Sequence, residues 1–289
     1  MTKNDIERRR DHNYRRTLAR RVRTEEQALA FINEVGFCFL FRAPHVEAPT
    51  LWEAILGGEY HEIGHHDYET GLAWEWKDTL VVKKQIFYGK LLKQKPTLIS
   101  LPMFPYFYAL SESYGDLEDY LDDYQAGRLS YAAKCIYEVL LCEGALPTST
   151  LRRKAGLAGA GALEAARLFE HGLAELQASL KIVKTGISDA NRWKYCYVYD
   201  LLPRWLPEQV AAGLRLRSLE AMPAIIRQYL DVVVVSTPQK IADLFGWPPE
   251  RTHQALGALM AAGEIRTDLR IEGLTGEWLA RPNLVDLSA

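Results

Sequence analysis

The sequence has few cysteines: four in 289 residues, Cys38, Cys135, Cys142 and Cys196, far apart and in apolar surroundings. No C-x-x-C pair or other metal-ligand rhythm joins them, which excludes a disulfide framework and a cysteine metal site. The thiols read as buried groups of a protein in a reducing compartment. Long apolar runs are also missing. No stretch reaches 18 apolar residues, and the charged N-terminus is followed by no apolar core, so neither a membrane span nor a signal peptide is expected. The expectation is a cytoplasmic protein with no membrane partner. Nor does one sign of charge dominate: 35 Lys and Arg stand against 37 Asp and Glu, a formal net charge of −2. Any surface for a polyanion must therefore be local. Hydrophobic residues at 48% and charged ones at 25% are ordinary globular values. The length holds two or three domains.

The second half of the chain carries the same phrase twice: short helix, polar turn, second helix, Gly-punctuated end, then two β-rich runs. The clearer copy begins at Ser236. There Ser236 and Gln239 are spaced for a capping box, and Pro238 falls in the first turn, where it loses no hydrogen bond. Gly246 ends that helix, Pro248-Pro249 opens the next, and Gly263 closes it. Ile265, Leu269 and Ile271 then alternate as a strand does. The other copy has helices over 130–141, 148–155 and 162–177, with a Gly-rich turn at Gly156, Gly159 and Gly161. Runs 180–185 and 193–199 flank the hairpin loop 186–191. A strand pair after a helix-turn-helix is a winged-helix pattern. The expected fold is mainly α with small β-hairpin wings, as tandem winged helix-turn-helix domains.

Charge is uneven along the chain. Residues 1–23 hold nine Lys or Arg against three acids, and residues 77–95 hold six lysines against one acid. Residues 112–123 reverse the sign, with six acids and no base. Gly127-Arg128 has the look of a hinge. The domain expectation is a basic arm or helix over 1–23, a degenerate winged-helix-like domain over 24–128, a second winged helix over 129–205 and a third over 206–289. Within the N-terminal region, residues 7–23 are expected as a basic helix and 24–33 as a capped helix stopped at Val35-Gly36. Phe37-Cys-Phe-Leu-Phe41 follows as a buried strand, and Leu51-Trp-Glu-Ala-Ile55 as a helical turn. A Trp- and Lys-rich helical stretch covers 74–82 and 85–92, and the proline-broken aromatic run 101–108 follows.

This order of elements, with the Gly36-Phe-Cys-Phe-Leu-Phe41 run and Leu51-Trp-Glu-Ala-Ile55, resembles the AlkZ/YcaQ family, and most closely its shorter AlkZ-related branch. Those are bacterial DNA glycosylases built on three tandem winged helices, which excise bulky alkylated and crosslinked bases. The resemblance implies a DNA partner, double-stranded and damaged or structured, held in a cleft between modules. In that family the strand after the glycine carries Gln-x-Gln or Gln-x-Asp, which places the attacking water. On this sequence those positions fall on Phe39 and Phe41, and phenylalanine can neither orient water nor take its proton. By the same resemblance, the sequence is expected to fall short of the family's C-terminal barrel-like domain. The expectation is a glycosylase scaffold without the usual catalytic pair.

Other residues are weighed for chemistry. Asp78, in an aromatic and basic setting, is a candidate general base for a diverged glycosylase, against a surface ion pair with Lys77 or Lys83. Lys90 is a Schiff-base candidate, against a phosphate or solvent contact. His61, His65 and His66 have loop composition and no metal spacing, so neither metal nor cofactor is expected. Trp74 and Trp76 join Phe39 and Phe41 as candidate pocket residues. Phe87, Tyr88, Tyr106, Phe107 and Tyr108 offer either a stacking platform or core, and Tyr195, Tyr197 and Tyr199 share one strand face. Helix 162–177 carries Glu164, Glu170 and Glu175, which argues against a major-groove pose. Helix 250–262 offers only Arg251, His253 and Gln254. The candidate DNA contacts are therefore Arg8, Arg9, Arg10, Arg15, Arg16, Lys83, Lys84, Lys90, Arg152, Arg153 and Lys154. A winged-helix transcription regulator and a protein–protein module are the competing classes.

Overall fold

The computed structural model describes residues 1–58, 67–111, 113–158, 162–191 and 194–285. The histidine trio 61, 65 and 66, Gly159, Gly161 and Trp193 lie outside the described residues. Helix α1 (Lys3–Asn13) opens on a capping box between Thr2 and Asp5. It ends at Asn13, so the basic segment expected as one helix over 7–23 is helical only in its first half. Tertiary contacts stop it: the Asn13 side chain donates to the Val232 carbonyl at 2.9 Å, and buried Tyr14 donates its hydroxyl to Glu47 at 2.9 Å.

Helix α2 (Glu25–Val35) is capped by the Thr24 hydroxyl and stopped by Gly36 at a φ of 77°. A Cβ at Gly36 would stand 2.7 Å from Gln228 Cγ, so this turn needs glycine for conformation and for space. Strand β1 (Phe37–Phe39), helices α3 (Leu51–Leu56) and α4 (Tyr68–Val82), and strands β2 (Ile86–Lys90) and β3 (Pro96–Ser100) complete a first run. The 85–92 segment, expected as helical, is therefore mostly strand. Lys84, at a φ of 53°, ends the helix, and Ile86-Phe87-Tyr88 pairs with β3 as β-branched and aromatic residues favour.

Helices α5 (Phe104–Tyr108) and α6 (Tyr120–Gln125) lead to a second run: α7 (Tyr131–Glu143), β4 (Leu146–Pro147), α8 (Thr148–Lys154), α9 (Ala162–Ala178), β5 (Ile182–Ser188) and β6 (Cys196–Leu201). Helices α10 (Leu202–Trp205) and α11 (Pro207–Gly213) join it to a third. That run is α12 (Ser218–Val233), β7 (Val235–Ser236), α13 (Pro238–Phe245), α14 (Pro249–Ala261), β8 (Arg266–Leu269) and β9 (Trp278–Ala280), with α15 (Pro282–Val285) after it. Each run is thus helix, strand, two helices, two strands. Each makes a three-stranded antiparallel sheet with the short first strand beside the last: β1-β3-β2, β4-β6-β5 and β7-β9-β8.

The α13 cap falls one residue later than expected. Ser236 is buried in β7, and the Thr237 hydroxyl accepts the Lys240 amide at 3.2 Å, while Pro238 and Gly246 take their expected places. The first and third runs share one core. Phe37 of β1 lies against Tyr229 of α12 (ring centroids 6.4 Å apart) and Phe245 of α13 (5.7 Å). The second run has its own core of Tyr137, Leu140, Leu151, Phe169 and Leu176. No helix among the described residues is long and apolar enough to cross a membrane.

Candidate functional site

Strand β1 pairs with β3, which sets Phe39 opposite Thr97. Phe39 is 2% exposed and lines a cleft of about 440 Å³ with Arg16, Arg42, Thr50 and Glu53. Glu53, 2% exposed, accepts from the Thr50 hydroxyl at 2.8 Å and Arg42 Nε at 2.6 Å, and Arg16 stands 3.5 Å away. An ionised network therefore flanks the cleft, while the strand itself offers it an apolar ring. A second cleft, about 580 Å³, adjoins it across the 44–47 loop and is lined by Lys93 and Lys240. Phe41, two residues beyond Phe39, packs against Trp52 (6.4 Å between centroids) and Trp74 (5.8 Å).

From Trp74, itself 37% exposed, aromatic contacts continue to Tyr195 (6.4 Å), Tyr197 (5.6 Å) and Tyr88 (6.2 Å). These rings enclose two lysines where α4 and β2 meet β5. Lys77 is fully buried. Its ammonium pairs with Asp78, donates to the Tyr195 hydroxyl at 3.2 Å and sits 4.7 Å from the Tyr88 ring centre. Lys184 is 3% exposed, with Nζ 4.1 Å from the Tyr197 centre and 4.5 Å from Tyr88. Burial pushes the Lys184 ammonium down to about 7, and Lys77 and Lys90 act in the same direction. Burial likewise raises the Tyr88 and Tyr195 hydroxyls well above the ordinary phenol range.

Asp78 also accepts from the Tyr195 hydroxyl at 3.0 Å. It is the ion-pair partner of Lys77 expected from the sequence, but inside an interface and not on an open helix face. Trp76 is buried in the core of the first run and does not line the cleft beside Phe39. Phe87, Phe107 and Tyr108 are core, with Phe87 stacked on Phe104 at 4.7 Å.

The basic candidates separate by environment. Arg10 is buried and donates to the Val233 carbonyl at 2.9 Å and to Glu47 at 3.0 Å, which makes it a tie between α1 and α12. Arg15 pairs with Glu34 at 2.7 Å and Arg16 with Asp11 at 2.9 Å. Arg9 donates to the Leu284 carbonyl, and exposed Arg8 lies 3.8 Å from Asp5. On α8, Arg152 donates to the Leu157 carbonyl at 2.8 Å and Lys154 pairs with Glu143 at 2.6 Å, whereas Arg153 is exposed. Lys83 pairs with Glu25, and Lys84 lies over Trp205 at 4.2 Å. Lys90, Lys93 and Lys95, on the β2–β3 hairpin, are exposed and make no ion pair among the described residues.

Lys184 and Glu53 stand out only in the structure. The signal for Lys184 was there: it stands two residues from Ile182, on the inward register of a strand. No group of His, Cys, Asp or Glu among the described residues could hold a metal ion.

The overall fold of three helix-and-sheet runs has a solved counterpart. The chain is similar in fold to Streptomyces sahachiroi DNA glycosylase AlkZ, at 14% identity and a TM-score of 0.57, over 97% of this chain and 71% of that one. A sequence-family profile described as "AlkZ related" matches residues 22–246, and the chain belongs to the AlkZ-related family. No curated protein matches it.

Proposed function

We propose that this chain is a DNA-binding protein of three tandem winged helices, over 24–128, 129–205 and 206–289. It takes damaged or structured double-stranded DNA and lacks the base-excising pair of AlkZ-type glycosylases. The helix–strand–helix–helix–strand–strand order of each run supports the winged-helix reading. The observation that carries the functional reading is β1. At the two positions where the resemblance puts a water-positioning pair stand Phe39 and Phe41, one lining a cleft edged by Arg16 and Arg42, the other against Trp74.

An apolar wall beside guanidinium groups suits an unstacked base whose phosphates lie at the rim. The third helix of a winged helix ordinarily enters the major groove, yet α4 packs against β5 and α9 exposes Glu164 and Glu170. A cleft pose is the alternative, with Lys90, Lys93 and Lys95 on the first wing and exposed Lys83 and Lys84 as the phosphate grip. Arg10, held inside the fold, is not part of it.

Fluorescence-anisotropy titration of an intact duplex and of the same duplex with an abasic-site analogue, each at two salt concentrations, tests this. Tighter, salt-sensitive binding to the lesion is expected. Equal affinity for both duplexes would overturn lesion recognition, and no binding to either would move the chain to protein–protein contacts.

A further inference from the structure

Strand β5 lies at the edge of its sheet and carries a bulge between Lys184 and Gly186. A bulge re-aims side chains, and Lys184, at its start, is buried. The DNA grip leaves Lys184 without a role. Its amine lies between two phenol rings and has no carboxylate or other hydrogen-bond acceptor among the described residues. Asp78, the nearest acid, is taken by Lys77 and Tyr195. A lysine desolvated beside a second cation is the arrangement that activates an amine as a nucleophile.

We infer that Lys184 forms an imine with an aldehyde, namely the C1′ aldehyde of a ring-opened abasic deoxyribose in bound DNA. The inference rests on the DNA-binding reading. The neutral amine attacks the aldehyde carbon and a C–N bond forms. The nitrogen then gives up its two protons, which leave with the carbonyl oxygen as water, so no oxidant or other co-reactant is needed. Tyr88 of β2 and Tyr197 of β6 face the amine, and the charges that act on it are Lys77 and Asp78 of α4, Lys90 of β2 and Glu170 of α9. With the ammonium pushed down to about 7, much of the amine is neutral at neutral pH. Half-buried Tyr197 must swing aside for the sugar to arrive, and from it Tyr195 and Trp74 lead outward to the exposed edge of the aromatic run.

The test is borohydride trapping of the full chain on a duplex carrying an abasic site, with peptide mapping of the adduct and anisotropy in parallel. A reduced covalent adduct mapping to Lys184 is expected, with a yield that rises as pH passes through about 7. In Lys184→Met, apolar and of similar length, the adduct should fall on the order of tenfold or more while binding is retained. No adduct from the native protein, or an adduct mapping to another lysine, overturns the inference. Lesion binding without an adduct overturns the imine alone, whereas neither binding nor adduct overturns the DNA-binding reading as well.

Discussion

Two lysines share a nest of tyrosines in this fold, and only one of them has a carboxylate. Lys77 keeps its charge company with Asp78, while Lys184 is left to ring faces and to a second ammonium. The folded protein therefore resists protonation of Lys184, whose ordinary value of 10.5 falls to about 7. Between those values the unfolded chain binds a proton that the folded chain does not. Stability from this group thus rises with pH, by about 1.4 kcal/mol per unit, and its penalty is fully present below about 7. Denaturant melts of the native protein and Lys184→Met from pH 6 to 10 should show the variant more stable at the acid end, the gap closing as pH rises. A constant gap would mean that Lys184 titrates normally. Arg10 is the opposite case. Within Arg8-Arg9-Arg10 it looks like a phosphate contact, because charge in a sequence does not reveal its partner, yet it ties α1 to the carbonyl of Val233. Arg10→Ala should cost about 3 kcal/mol in a urea melt, since it strips donors from buried acceptors. A loss below 1 kcal/mol would make the contact incidental.

At the scale of elements, sequence and structure agree where the signal is local. Thr24 and Ser130 cap their helices, and Gly36, Gly246 and Gly263 close theirs with positive φ. Agreement fails where long-range pairing decides. Lys-rich 85–92 suggests a helix face until β3 is there to pair with Ile86–Lys90. The two-residue strands β4 and β7 have too few residues to show any alternation. Helix packing also left a mark that is visible only in space: a Cβ at Gly172 would sit 2.8 Å from the Ala133 amide nitrogen, so α9 lies tight on α7. Gly172→Ala should destabilise by about 1–3 kcal/mol in thermal melts, despite alanine's better helix propensity. No loss would mean that the two helices can part. The β2–β3 hairpin makes a sharper functional prediction. Replacing Lys90, Lys93 and Lys95 by Gln should weaken duplex binding and reduce the salt slope by roughly three. An unchanged slope would put the grip elsewhere.

Over the whole molecule, the repeated phrase of the second half extends to the first, and all three runs carry the same sheet order. The sequence suggested a degenerate first copy over 24–128 with 85–92 helical, whereas strands β2 and β3 there complete the same element order as in the other two runs. The runs are not equivalent neighbours, however. The first and third merge their cores through Phe37, Tyr229 and Phe245. The second attaches through the lysine–tyrosine nest, while Lys181 ties its own sheet to the α6 segment, pairing with Asp119 at 2.7 Å and Asp123 at 2.8 Å. Contacts between units cannot be seen in local patterns, which is why Lys184 stayed hidden while Phe39, Phe41 and Asp78 did not. We propose a scaffold of the AlkZ type that binds DNA without excising its bases. Single-turnover base release, with protein in excess over alkylated duplex, tests it most directly. No free base is expected at protein concentrations that saturate binding; free base that disappears in Asp78→Asn would mean that excision persists.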